Sequence, residues 1–156
     1  MNAQQFILPG DYFFGEFDGL IVTLLGSCVA VSLWHPQRRL AALTHYLLPS
    51  APDADPEDTR YGEGVFHRLQ LDMRRHRSHP SEYRMGLFGG GGRIGNLHDR
   101  VGPGNVRFAR ECFQRLAWRA EQEALGGTDY RRLSLDGRTG KLLCQCLSSP
   151  IQVGSP

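Results

Sequence analysis

No apolar run in the 156 residues reaches the roughly 18–20 needed to cross a bilayer, so no membrane-spanning helix is expected. Surplus charge is equally scarce. Eighteen Lys and Arg against 16 Asp and Glu leave a formal +2, too little to mark a nucleic-acid-binding face. The opening MNAQQFILPGDY lacks the basic start and the extended apolar core of a secretory signal, so cytoplasmic residence is the default expectation. Cysteine is limited to Cys28, Cys112, Cys144 and Cys146, with no C-x-x-C knuckle and no histidine near Cys144 and Cys146. That pattern argues against a zinc site or a disulfide framework and leaves free thiols and no metal as the expectation. Cys112 sits inside an apolar helical repeat and reads as core packing. Internal repeats and low-complexity segments are absent. What remains, 40% hydrophobic and 22% charged, is ordinary for a soluble protein. The length fits one domain, residues 1–156, able to bury a sizeable core.

The pattern along the chain reads as α/β: a layered domain in which an antiparallel or mixed sheet packs with two main helices. Residues 20–25, 28–34 and 40–48 form an N-terminal meander. Asp55-Pro56 predicts a helix start, with Tyr61, Val65, Phe66, Leu69 and Met73 at helical spacing up to Arg75. A strand is expected over 83–88, then a glycine-rich loop over 89–95. A second helix starts near Pro103, with Val106, Ala109, Cys112, Phe113, Leu116 and Ala117 as its apolar stripe. Residues 131–135 and 141–147 read as a terminal hairpin across Asp136-Gly137-Arg138-Thr139-Gly140.

The densest information lies in 20–49, LIVTLLGSCVAVSLWHPQRRLAALTHYLLP. Taking Gly26-Ser27 as a two-residue hairpin loop pairs Leu25 with Cys28 and Thr23 with Ala30. Across the turn Pro36-Gln37-Arg38-Arg39, Trp34 is expected opposite Leu40, because a slip to Arg39 sets a charge against an apolar ring. Cys28 then lies beside His45 and Tyr46, about 5–8 Å away across the ladder. Period-two alternation puts Thr23 on the same sheet face. A thiol, an imidazole and a hydroxyl converge, which is a plausible nucleophile site. Taken singly, each has a plainer reading: a buried free cysteine, a core histidine, and a strand threonine.

Other patterns carry less. Gly90-Gly91-Gly92-Arg93-Ile94-Gly95 satisfies G-x-G-x-x-G, but Gly102, Pro103 and Gly104 delay the helix, and Arg115 stands where a ribose-binding acid is needed. A mobile loop near the active site is expected there, not a nucleotide site. Arg74-Arg75-His76-Arg77 complements a helix C-terminus. His76 and His79 read as surface residues, and His35 and His67 carry no partner signal.

The chain resembles the CheD family of chemoreceptor glutamine deamidases. The resemblance is carried by Pro9-Gly10-Asp11, by Thr23-Leu24-Leu25-Gly26-Ser27-Cys28-Val29-Ala30-Val31, and by His45-Tyr46-Leu47-Leu48-Pro49. It continues through Tyr61, Phe88-Gly89-Gly90, Gly102 with Asn105, Gly126-Gly127 with Arg131, and Thr139-Gly140, in order from about Phe6 to Leu147. Gly91 replaces the family's usual alanine, Tyr130 replaces a small residue, and the loop over 50–58 is acidic and proline-rich. The resemblance implies a cofactor-free hydrolase acting on glutamine side chains of receptor cytoplasmic helices, with a CheC-type phosphatase as a further partner. It implies Cys28 as nucleophile, His45 as its acid–base partner and Thr23 as orienter of the imidazole. Backbone amides of the 26–28 turn are candidate oxyanion donors, and Gly26, Ser27, Gly89, Gly90 and Gly91 are expected at the substrate. The same thioester forms from a glutamyl methyl ester, so methylesterase activity is an expected side reaction. The alternatives are a non-catalytic chemotaxis adaptor and a thiol hydrolase acting on other amides.

Overall fold

The computed structural model describes residues 3–92 and 100–147. Nine strands fall into two mixed sheets, with two helices against one of them. The strands are β1 (Ala3–Phe6), β2 (Tyr12–Gly15), β3 (Gly19–Leu25), β4 (Val29–His35), β5 (Leu40–Thr44), β6 (Arg84–Gly89), β7 (Ala120–Leu125), β8 (Tyr130–Asp136) and β9 (Leu142–Leu147). The helices are α1 (Gly62–Arg75) and α2 (Val101–Leu116). One sheet has the order β1-β3-β8-β9 and the other β2-β5-β4-β6-β7. The β1–β3 and β6–β7 pairs are parallel, and the remaining pairs are antiparallel.

The layering follows from where apolar side chains can hide. β4, VAVSLWH, is buried at every position, as a strand covered on both faces must be. Ala30 and Trp34 join Ile21, Leu25, Leu43, Phe88, Leu133 and Leu135 between the two sheets. Val29, Val31 and Leu33 face the other way, toward Val65, Phe66, Leu69, Val106, Ala109 and Phe113 of the helices. Val65, Leu69 and Met73 of α1 recur every four residues beside Phe66, which keeps one stripe on the sheet.

The α/β class, both helices and the terminal β8–β9 hairpin match the sequence expectations. The meander does not. β3 pairs with β1 and β8, whereas β4 belongs to the facing sheet, so Gly26-Ser27 is a crossing between sheets and not a hairpin loop. Leu25 and Thr23 face Arg131 and Leu133, not Cys28 and Ala30. The β4–β5 register is also one residue off, with Trp34 opposite Ala41 and His35 opposite Leu40. His35 extends β4 by one residue, and Arg39, at φ 52°, closes a four-residue turn. α1 begins at Gly62, not at Asp55-Pro56. That earlier segment is spent on Asp-centred turns, with Asp55 and Asp58 accepting from nearby backbone N–H groups. β7, AEQEAL, follows no strand pattern and is made extended by its parallel neighbour β6.

Candidate active site

β3 ends at Leu25 and β4 begins at Val29, so Gly26, Ser27 and Cys28 carry the chain from one sheet to the other. Every carbonyl of this passage is held. Gly26 O accepts from Gly91 N–H at 2.9 Å, Ser27 O from Asn105 Nδ2 at 3.0 Å, and Cys28 O from Gly90 N–H at 2.8 Å. The N–H groups of Ser27 and Cys28 have no hydrogen-bond partner among the described residues. Two adjacent donors thus stand free beside a partly exposed thiol.

His45 follows directly on the end of β5. Val29 and Tyr46 exchange backbone hydrogen bonds of 3.2 and 3.1 Å as an antiparallel bridge. That register sets Cys28 and His45 on one face as diagonal neighbours, about 7–8 Å apart at the backbone. His45 is 2% exposed, and its Nδ1 lies 2.6 Å from Thr23 Oγ1. The Thr23 hydroxyl has one proton and donates it to Ile7 O at 2.6 Å. Thr23 therefore accepts from His45, which places the ring proton on Nδ1 and leaves Nε2 as the basic atom. Gly10 N–H donates to His45 O at 2.7 Å, so the Pro9-Gly10-Asp11 segment secures the backbone behind the imidazole.

Burial dominates the electrostatics. It lowers the His45 pKa to about 4, opposed by the Asp11 charge. Burial also pushes the Cys28 thiol up. Near neutral pH burial therefore favours a thiol beside a neutral imidazole over a thiolate–imidazolium pair. No hydrogen bond joins Cys28 Sγ to His45 among the described residues.

The structure brings Thr23, Cys28 and His45 together, but Thr23 reaches the site from the facing sheet instead of sharing a face with Cys28 on one sheet. Gly26 and Ser27 form the passage. Gly89, Gly90 and Gly91 are buried beneath it, not part of a mobile surface loop. Their closeness requires glycine: a Cβ on Gly89, at φ +107°, would stand 2.2 Å from Cys28 O. Residues 93–95 of the expected loop lie outside the described residues. Gly90 and Gly92 also border a cavity of about 600 Å³ lined by Val106, Arg107, Arg110 and Gly127. Arg131 is 5% exposed and donates to Gly89 O and Gly126 O at 3.0 and 2.6 Å, securing this glycine platform.

Sequence reasoning did not find the Ile7 carbonyl, which has no side-chain signature, or the contacts of Asn105 and Arg131, which were noted only as motif positions. His35 carries no partner signal in the sequence. It is 2% exposed, accepts from Arg38 N–H through Nδ1 at 3.2 Å, and packs edge-on against Tyr83. Cys112 is buried in the core. Among the described residues, no group of three or more His, Cys, Asp or Glu side chains is placed to hold a metal ion. No described helix is long and apolar enough to cross a membrane.

The family model for CheD chemotactic sensory transduction matches residues 47–146. A "Probable chemoreceptor glutamine deamidase CheD 3" of Dechloromonas aromatica is 35% identical over 143 residues, covering 88% of this chain and 84% of the relative. A "Probable chemoreceptor glutamine deamidase CheD" of Pseudomonas fluorescens is 32% identical over 141 residues, covering 86% and 80%. The family model begins after His45. The Dechloromonas match leaves about 19 of the 156 residues uncovered, too few to exclude Thr23, Cys28 or His45 from its span. Among solved structures, a Bacillus licheniformis hypothetical protein, YfiH, gives a TM-score of 0.44 at 13% identity, over 75% of this chain and 49% of that one.

Proposed function

The chain belongs to the CheD family, and from that premise we propose that it deamidates glutamine side chains of chemoreceptors through a thioester on Cys28. The observation that carries the reading is the Thr23–His45 contact. It makes Nε2 the basic atom of a buried, neutral imidazole on the same face as the thiol.

The chemistry follows from that protonation state. As Cys28 Sγ attacks the carboxamide carbon, the thiol proton passes to His45 Nε2. The carbonyl electron pair moves to oxygen, where the Ser27 and Cys28 N–H groups receive the negative charge. Collapse of this intermediate expels ammonia, with the imidazolium supplying its proton, and leaves a thioester. Water then attacks the thioester, giving its proton to His45, and glutamate and the thiol are released. Thr23 keeps the ring oriented through both half-reactions, and its hydroxyl dipole supports the imidazolium less than a carboxylate would. Gly26 lines the approach to the carboxamide. Gly89, Gly90 and Gly91 seat the passage that carries the donors. A glutamyl methyl ester gives the same thioester with methanol as the leaving group, which makes methylesterase activity the natural side reaction.

In this reading the chain acts as one domain in the cytoplasm, where it meets receptor helices, and a CheC-type phosphatase is a further partner. Each deamidation adds one negative charge to a receptor helix and so biases its signalling equilibrium. The test is mass spectrometry of receptor cytoplasmic fragments incubated with wild type and with Cys28→Ala. Conversion of specific glutamines to glutamates by wild type alone is the expected result. Equal conversion by Cys28→Ala would remove Cys28 from the mechanism, and no conversion by either would remove the activity.

A further inference from the structure

The antiparallel pairing of β4 with β5 and the residues after it stops at the Val29–Tyr46 bridge. The next hydrogen-bonded pair in that register would be Ser27 with Leu48. It does not form: Leu48 O accepts from Gly62 N–H at 2.8 Å and Ser27 O from Asn105 Nδ2 at 3.0 Å instead. Leu47 N–H is likewise turned away, to Arg60 O at 2.8 Å. The two chain segments that carry Cys28 and His45 therefore part just beyond the Val29–Tyr46 bridge.

One side chain spans the gap. Asn105, on α2, is fully buried, and its Nδ2 donates to Ser27 O at 3.0 Å and to Leu47 O at 2.8 Å. The amide orientation is unambiguous, since a flipped Oδ1 would face two carbonyl oxygens. The commitment is costly: Oδ1 has no partner among the described residues. The helix backbone at this point is itself held, by the Tyr46 hydroxyl donating to Asn105 O at 2.6 Å.

The consequence lies in the peptide plane. Ser27 C=O and Cys28 N–H belong to one trans peptide unit and point in opposite directions. Fixing the carbonyl on Asn105 therefore aims the Cys28 N–H away from α2. The Gly91 N–H on Gly26 O does the same for the Ser27 N–H.

We propose that Asn105 is a positioning residue for the reaction, orienting the Cys28 amide as an oxyanion donor through its hold on the Ser27 carbonyl. This rests on the deamidase reading. The discriminating measurement compares two reactions of the same thiol. Deamidation passes through an oxyanion, whereas alkylation by iodoacetamide at its sp³ carbon does not. For Asn105→Ala, kcat on receptor fragments should fall by about 10- to 100-fold, part of the 10²–10³ lost when an oxyanion donor is removed outright. KM and the alkylation rate of Cys28 should change little. Should Asn105→Ala fail to fold, Asn105→Ser keeps one donor and the comparison is made there, with thermal melting run beside it. Full kcat in the variant, or parallel losses in deamidation and alkylation, would overturn the proposal and leave the deamidase reading standing. Wild type that alkylates normally but deamidates no receptor glutamine would defeat the reading itself, and the role of Asn105 with it.

Discussion

Thr23 Oγ1 stands 2.6 Å from His45 Nδ1 although the two residues come from opposite sheets. The contact spans the inter-sheet layer, so the orientation of the imidazole depends on how the sheets pack and not on one local turn. It also depends on Ile7 O, which takes the Thr23 proton and so makes the hydroxyl an acceptor toward the ring. Three elements distant in sequence decide which imidazole nitrogen is basic.

Thr23→Val removes the acceptor and leaves the buried Nδ1–H unpaired. The ring is then free to turn or to change tautomer. A loss of about 10²–10⁴ in kcat, the size of a general acid–base contribution, is the expected upper range. Thr23→Ser restores the hydroxyl and should recover most of the rate. Steady-state kinetics on receptor fragments decide it: equal rates for the two variants would show that the hydroxyl contributes nothing.

The protonation states carry a second expectation. Because burial raises the Cys28 pKa and His45 is neutral, the resting thiol should alkylate slowly near neutral pH. Its rate should climb only in the alkaline range, above the ordinary thiol value of about 8.5. Iodoacetamide rates measured from pH 5 to 10 test this, with Cys112, Cys144 and Cys146 replaced by serine or alanine to isolate the signal. A plateau already reached by pH 6 would reveal a preformed thiolate–imidazolium pair and contradict the geometry.

Burial of His45 also links stability to pH. Its pKa is about 4 when folded, against about 6.5 for an unperturbed histidine, so between these values the unfolded chain binds more protons. Folding stability is therefore complete above about pH 6.5 and declines as pH falls toward 4, by at most about 3 kcal/mol. Chemical denaturation of wild type and His45→Gln at pH 7 and pH 4.5 isolates the term. The wild type should lose more stability over that interval than the variant, and identical losses would mean that His45 titrates normally.

Much of this was legible in the sequence, and the failures have a common cause. Cys28 and His45 were expected side by side across the ladder, and the structure makes them diagonal neighbours on one face. The expected register, one residue off, set Tyr46 opposite Cys28 and His45 on the other face, and the observed register is what brings His45 round to the thiol. Thr23 was placed by assuming that Gly26-Ser27 made a hairpin. Those two residues suit a tight turn equally well when the chain crosses between sheets, and only the pairing of β3 with β8, more than 100 residues away, decides between the two. The double role of Asn105 was out of reach for the same reason: its acceptors are backbone carbonyls, which every residue possesses.

The glycine platform gives the sharpest structural expectation. Gly89 has φ +107°, outside the range comfortable for residues with a side chain, and a Cβ there would meet Cys28 O at 2.2 Å. Gly127 has φ +72°, but a Cβ there meets nothing within 4 Å. Both alanine variants carry the backbone penalty, about 1–2 kcal/mol. Only Gly89→Ala also drives into the carbonyl of the nucleophile, displacing the passage that Gly90 N–H and Asn105 hold. For a chain of this size the backbone term alone lowers Tm by about 2–8 °C. Gly127→Ala should show that drop and keep its deamidase rate. Gly89→Ala should melt lower still and lose both deamidation and Cys28 alkylation, because the thiol itself is moved. Calorimetry and the two rate assays separate the cases. If Gly89→Ala proved as stable and as active as Gly127→Ala, the carbonyl of Cys28 would have room to spare, and the platform would not govern where the nucleophile stands.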